Sequence, residues 1–295
     1  MSVPVAGRRR SGRAGYGFVA AYLVLLVAFG VVPTGYAISF AVTDAGGGFT
    51  GFANFVTAAR DFRFAAAAGH VALYLVFWLA ALVVFVVGLA LLLHRLGAGA
   101  GSRALRFLYY IPGALAGAAS VLAWLFMLDP AVSPAGFLLR GLGFETFGQV
   151  VALEHLPVLF TLIAFWTGAG GWVVVLYGAL NTIPQELEDA ARIDGAGPIT
   201  LAFRIKLPLI RKWIAYMVIL SFATGTQLFV EPQLVNQASF GMVPDTWSSN
   251  QLGYQLAFRY ADFNGAAAIA VDLLVVGLLA AVVIISRTGL FKAAD

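Results

Sequence analysis

The run Gly69–Leu93, GHVALYLVFWLAALVVFVVGLALLL, holds 25 residues without an Asp, Glu, Lys or Arg. A helix rises 1.5 Å per residue, so about 20 apolar residues cross the hydrocarbon core of a bilayer. The run shows no strand-length alternation of polar and apolar positions that would favour a barrel. Backbone N–H and C=O groups in lipid must be satisfied within the segment, so this stretch is predicted to be a membrane-spanning helix.

Five further stretches share its character: Tyr16–Val42, Leu105–Leu128, Leu156–Leu180, Trp213–Val235 and Gly265–Ser286. The expected fold is all-α, a polytopic membrane protein with six transmembrane helices over residues 16–286 and short polar connections. Composition agrees: 61% of the residues are hydrophobic and 11% charged, against roughly 45–50% and 25% in soluble domains. No second, soluble domain is visible.

The basic residues set an orientation. With the N-terminus inside, the inner segments hold Arg8, Arg9, Arg10 and Arg13, then Arg95, Arg103 and Arg106, then Arg192, Arg204, Lys206, Arg211 and Lys212, and finally Arg287 and Lys292. The outer segments hold Arg60, Arg63, Arg140 and Arg259. The positive-inside rule then puts both termini in the cytoplasm, as short tails over residues 1–15 and 287–295, and makes the chain a multi-pass protein of the inner (cytoplasmic) membrane. The Arg8–Arg10 run is like the start of a signal peptide, but the apolar run behind it is too long and lacks a small-residue cleavage site, so an uncleaved first helix is expected. The net charge of +4 is not gathered with aromatics on one polar face, so nucleic acid is not an expected partner.

The longest inner polar stretch is Asn181–Lys212, NTIPQELEDAARIDGAGPITLAFRIKLPLIRK. Thr182 and Gln185 fit a capping box, Pro184 suits a first turn, and Glu186, Glu188 and Asp189 suit the positive end of a helix dipole. Leu187, Ala190, Ala191 and Asp194 are spaced to share one face. Asp194-Gly195 supplies the turn, with Gly195 in the left-handed region. A second helix is expected from Pro198 to Leu207-Pro208, where proline would break or kink it before the next span. A helix, a glycine turn and a helix, acidic first and basic last, suit a lever docked by a soluble motor; the same pattern also suits an amphipathic connector on lipid headgroups.

This segment resembles the EAA loop of binding-protein-dependent ABC importer permeases, whose pattern is Glu-Ala-Ala, three residues, Gly, nine residues, Ile, one residue, Leu-Pro. Here it reads Asp189-Ala190-Ala191, Gly195, Ile205 and Leu207-Pro208, with every spacing kept. Ile183-Pro184 and Ile193-Asp194-Gly195-Ala196 fit the carbohydrate-uptake branch. Asp189 stands where the family has Glu, and Phe203 lies one position later than the family's aromatic. Looser similarity covers Tyr110-Ile111-Pro112, Trp124, Asp129-Pro130 and the tail from Thr246 through Ala257-Phe258 to Gly265–Ala268, which looks like the permeases of maltose and glycerol-phosphate importers. The resemblance implies a type I importer permease fold, alternating access, and Asp189, Ala190, Ala191, Asp194, Gly195, Ile205, Leu207 and Pro208 as contacts to an ATPase. It implies as partners a second homologous permease, an ATP-binding cassette ATPase dimer that holds the ATP and Mg, and an extracytoplasmic solute-binding protein. This chain would carry no cofactor of its own.

Polar groups inside apolar spans mark the expected solute path. The fifth stretch holds Thr224, Thr226, Gln227, Glu231, Gln233 and Asn236 and is broken by Gly225 and Pro232, so a kinked helix beside a cavity is expected, with Gln227, Glu231, Gln233 and Asn236 lining it. Asp272, among Ile269, Val271 and Leu273 in the sixth, either meets solute or finds an internal partner. Trp166, Trp172 and Tyr177 fit interfacial anchors better than sugar-stacking rings.

Other chemistry finds no support. Gly97, Gly99 and Gly101 form a glycine-rich loop without the strand or the Gly-Lys-Ser/Thr of a phosphate loop. Cysteine is absent. His70, His94 and His155 lack zinc spacing and are assigned to packing. A non-sugar solute such as a phosphodiester or polyamine, or ion coupling through Asp272 or Glu231, are the alternatives to a carbohydrate cargo.

Overall fold

The computed structural model describes residues 11–97, 99–115 and 117–288. Arg8, Arg9, Arg10 and Lys292 of the charge argument therefore lie outside the described residues. The long helices form where the apolar runs predict them, because only intrahelical bonds satisfy a backbone in lipid. A helix from Ser11 runs through a π turn at Val27–Val31 to Ala41, and its apolar part Val19–Ala41 is α1. It is followed by α2 (Ala53–Arg60) and α3 (Phe62–Arg95). Then come α4 (Ala100–Tyr110), α5 (Gly117–Met127), α6 (Gly136–Gly141), α7 (Phe147–Val150) and α8 (Leu156–Leu180). The last five are α9 (Gln185–Ile193), α10 (Pro198–Gly225), α11 (Val230–Ala238), α12 (Ser249–Arg259) and α13 (Phe263–Thr288). Five of these, α1, α3, α8, α10 and α13, are long and apolar enough to cross a membrane.

The third predicted span is not one straight helix. Residues 100–114 and α5 are bent by 101°, and Pro112, in a short 3₁₀ turn at Ile111–Ala114, lies next to the break. Proline removes a backbone donor, and each half alone is too short to span. Of the glycine-rich loop, Gly99 caps α4 and Gly101 lies inside it.

The fifth span also departs from expectation. Pro208 does not break it: α10 is continuous from Pro198 to Gly225. A π segment at Leu201–Lys206 precedes the proline, and this wider turn accommodates a residue that lacks an N–H and would crowd the carbonyl four positions back. The helix stops at Gly225; Thr226 and Gln227 lie in the turn that follows, and Glu231, Gln233 and Asn236 belong to the separate α11, which packs on α5. Gly225 ends α10 against Leu75 and Trp78 of α3, where a Cβ would lie 2.6 Å from Leu75 Cδ2.

The core is centred on α8, which packs against α3, α4, α5 and α10. Association inside lipid gains little from hydrophobicity and relies on close packing, so small residues mark the contacts. A side chain at Gly170 of α8 would collide with the Tyr109 carbonyl of α4, and one at Gly113 would come within 2.8 Å of the Thr167 carbonyl. Tyr177 is buried rather than interfacial, with the Arg106 guanidinium 4.0 Å above its ring.

A second group surrounds α13, which packs along α1, α2, α10 and α12. Most of α1 is uncovered, with Phe29 80% exposed. Its C-terminal carbonyls, orphaned like those of any helix end, are met from two sides. The Asn54 amide of α2 donates to the Ala41 and Thr43 carbonyls at 3.0 and 2.8 Å, and the Asn264 amide of α13 donates to those of Phe40 and Thr43 at 3.0 and 2.7 Å.

Candidate functional site

The loop between α8 and α10 is built around a left-handed turn. Gly195 has φ +83°, a conformation costly for any residue with a Cβ. The Gly195 N–H donates to the Arg192 carbonyl at 3.0 Å and the Ala196 N–H to the Ala191 carbonyl at 2.9 Å, the paired bonds of a Schellman stop. The predicted capping box is absent. Pro184 is the N-cap of α9, and the Thr182 hydroxyl donates instead to the Ala179 carbonyl at 2.7 Å, where it helps finish α8.

The expected common face of α9 splits in two. Ala191 is buried beside Glu188, while Leu187, Asp189, Ala190, Ile193 and Asp194 are exposed. Asp189 accepts from Arg192 Nη1 at 2.7 Å and Gln185 Nε2 at 3.2 Å. Ile193, Ile199 and Phe203 add apolar surface at 86%, 76% and 65% exposure. Ile205 and Leu207 are half-buried and Pro208 is exposed on α10.

Beneath α9 lies a polar cluster that sequence reasoning missed. Glu188, 3% exposed, sits 2.9 Å from Lys206 Nζ and 3.1 Å from Arg192 Nη2. His94, at the end of α3, approaches Lys206 Nζ through Nδ1 at 3.3 Å and the Leu180 carbonyl through Nε2 at 3.2 Å. An ammonium only donates, so Nδ1 accepts, and Nε2 carries the proton it gives to Leu180. His94 is thus placed as a neutral imidazole, and its 4.0 Å approach to Glu188 is not an ion pair. A cavity of about 660 Å³ opens beside the cluster, walled in part by Leu91, Arg95, Gln185, Ile199 and Phe203.

The predicted path residues lie beyond the Gly225 break, and they are not equally free. Asn236 holds a turn: its amide donates to the Val243 carbonyl, and the Gly241 N–H closes on the Asn236 carbonyl at 2.9 Å. Gln233 accepts from Gln251 Nε2 at 3.2 Å. Gln227 is exposed, and Glu231 is half-buried in the first turn of α11, where a helix dipole favours a carboxylate. Asp272 is half-buried on α13 and, among the described residues, makes no hydrogen bond or ion pair. Next to this region the loop after α11 inserts the fully buried Trp247, stacked on His70 at 5.0 Å and edge-on to Phe160 at 4.8 Å. Ser248 and Gln251 form a buried capping box for α12.

No protein-family model matches the chain. It is 28% identical over 288 residues to the diacetylchitobiose uptake system permease protein NgcF of Streptomyces coelicolor, covering 90% of this chain and 80% of that one. It is 29% identical over 210 residues to the sn-glycerol-3-phosphate transport system permease protein UgpA of Salmonella typhi, covering 66% and 67%. Its fold matches the crystal structure of a bacterial ABC transporter involved in import of the acidic polysaccharide alginate, with TM-score 0.74 at 18% identity over 94% of this chain and 96% of that one. A second structure of an alginate ABC transporter, in complex with an alginate pentasaccharide-bound periplasmic protein, matches with TM-score 0.71 at 19% identity over 92% and 93%. This multi-pass chain is thus similar in sequence to permease subunits of two uptake systems, and it shares the fold of a chain of a bacterial ABC transporter.

Proposed function

We propose that this permease imports a carbohydrate, using ATP hydrolysed on a separate ATPase dimer that grips the loop from α9 into α10. The observation that carries the reading is the Schellman turn at Gly195, which presents Asp189, Ala190, Ile193 and Asp194 outward while Ala191 anchors α9 inward. Similarity to NgcF along most of both chains supports a sugar as cargo. On this reading the loop and both termini face the cytoplasm and the chain lies in the inner membrane. A second permease covers the exposed spans, and a solute-binding protein delivers cargo from outside. ATP and Mg belong to the ATPase, with no cofactor in this chain.

ATP closure of the ATPase dimer pushes α9, and the spans tilt to open a path outward. Gln227, Glu231, Gln233 and Asp272 line that path, with Asn236 shaping the turn behind them. Amides and carboxylates hydrogen-bond a polyhydroxylated solute, whereas two carboxylates repel a phosphate anion. The reading is tested in proteoliposomes holding this permease with its partner permease, ATPase and binding protein. ATP-dependent uptake of labelled oligosaccharide is expected, and Gly195→Val is expected to lower it at least tenfold while membrane insertion persists. Uptake driven by an ion gradient without ATP would overturn the assignment. Uptake of glycerol phosphate or a polyamine in preference to sugar would reassign the cargo.

A further inference from the structure

We propose that Glu188, Lys206 and His94 form a buried joint through which movement of α9 is passed to α3, α8 and α10, making all three positioning residues for transport. The inference rests on the ATPase-driven function proposed for the chain. Glu188 lies on α9 and Lys206 on α10, with side chains 3% and 9% exposed and 2.9 Å apart. His94 ends α3, and its second nitrogen reaches the carbonyl of Leu180, the last residue of α8. Four elements thus meet in one chain of charge-assisted and neutral hydrogen bonds.

Two further observations indicate a built joint. The π segment Leu201–Lys206 ends on the lysine. One extra residue in a turn rotates the downstream helix by about 100° relative to an unbroken α-helix, and in this register Lys206 is buried under α9 while Arg204 is exposed. The Glu188 carboxylate is also used on both oxygens, by Lys206 and by Arg192. Arg192, on α9 itself, fixes the carboxylate in place, and the bond to Lys206 then ties α9 to α10 and resists its rotation. Removing one member leaves the other charged and buried, whereas exchanging the two preserves the pair.

The test uses the assembled importer in proteoliposomes, measuring solute uptake, ATP hydrolysis and retention of the ATPase on the purified permease. Lys206→Met and Glu188→Gln are expected to keep the ATPase bound and to keep hydrolysis within about threefold. Uptake should fall at least tenfold, raising the ATP consumed per solute by a similar factor. The exchange Glu188→Lys with Lys206→Glu is expected to restore at least a third of wild-type uptake. Where a single variant does not insert, the neutral pair Glu188→Gln with Lys206→Met is used, and loss of coupling is again expected. Because the chain has no cysteine, Glu186→Cys on α9 with Arg95→Cys at the end of α3 gives clean spin-label pairs. Their distance should stay fixed through the ATP cycle and broaden with Lys206→Met. Wild-type uptake per ATP in Lys206→Met, or loss of the ATPase together with uptake, would overturn the joint. Absence of ATP-driven uptake in the wild type would instead strike the assignment beneath it.

Discussion

Asp61 shows how one side chain can start a membrane span. Its carboxylate accepts from the Arg63 N–H at 2.9 Å and caps α3, while the Arg63 guanidinium chelates it at 2.7 to 3.2 Å. Those bonds from Arg63 hold its pKa below the ordinary carboxylate value. A group depressed on folding stabilises fully above its unfolded pKa, near 3.9, and the contribution fades as pH falls through the lower folded value. Asp61→Asn keeps an N-cap but removes the charge that pairs with Arg63, so it is expected to cost about 0.5–1 kcal/mol near neutrality and less in strong acid, measured by thermal unfolding in detergent at both pH values. Equal loss at both would refute the charge's part. Residues differ in how openly they announce such roles. Gly195 comes directly after Asp194, and that pair signals a left-handed stop at the end of a patterned helix. Thr182 misleads because the Ala179 carbonyl, freed at the end of α8, competes for its hydroxyl. His94 carries no local signal at all: Lys206 lies 112 positions away, and only packing brings them together.

Among the elements, the long apolar helices are legible because lipid leaves the backbone one local solution. Their interruptions are less so. A π turn has no sequence period of its own, so Pro208 reads as a break although α10 accommodates it. The bend of the third span depends on where α8 lets α4 approach, and its clearest trace is Gly170. Filling that contact should separate the two helices. Gly170→Val is expected to destabilise by about 1–3 kcal/mol, the usual cost of overpacking, seen as a lowered Tm in detergent. Gly171→Val, where a Cβ meets nothing within 4 Å, should cost less; equal costs would show that the contact does not govern stability.

For the molecule as a whole, the polar side chains beyond Gly225 separate two modes of energy supply. Asp272 has no acidic or basic partner among the described residues with which to pass an ion across helices. Asp272→Asn is therefore expected to keep ATP-driven uptake within about threefold, while Asp272→Leu, which removes hydrogen bonding from the path, lowers it further. Collapsing the proton gradient with an ionophore should leave the rate unchanged. An Asp272→Asn variant without uptake, together with ionophore sensitivity, would return the ion-relay reading.

The two asparagine amides at the end of α1 have a mechanical meaning. Asn54 and Asn264 reach the same short run of carbonyls from α2 and α13, and α13 packs along the second half of α1, while the first half, residues 19–31, is mostly exposed. A rod held over its last turns and free toward its start behaves as a pendulum. The first span can lean at its far end without breaking a hydrogen bond, and under the proposed function that end would offer a second permease a surface that yields during transport.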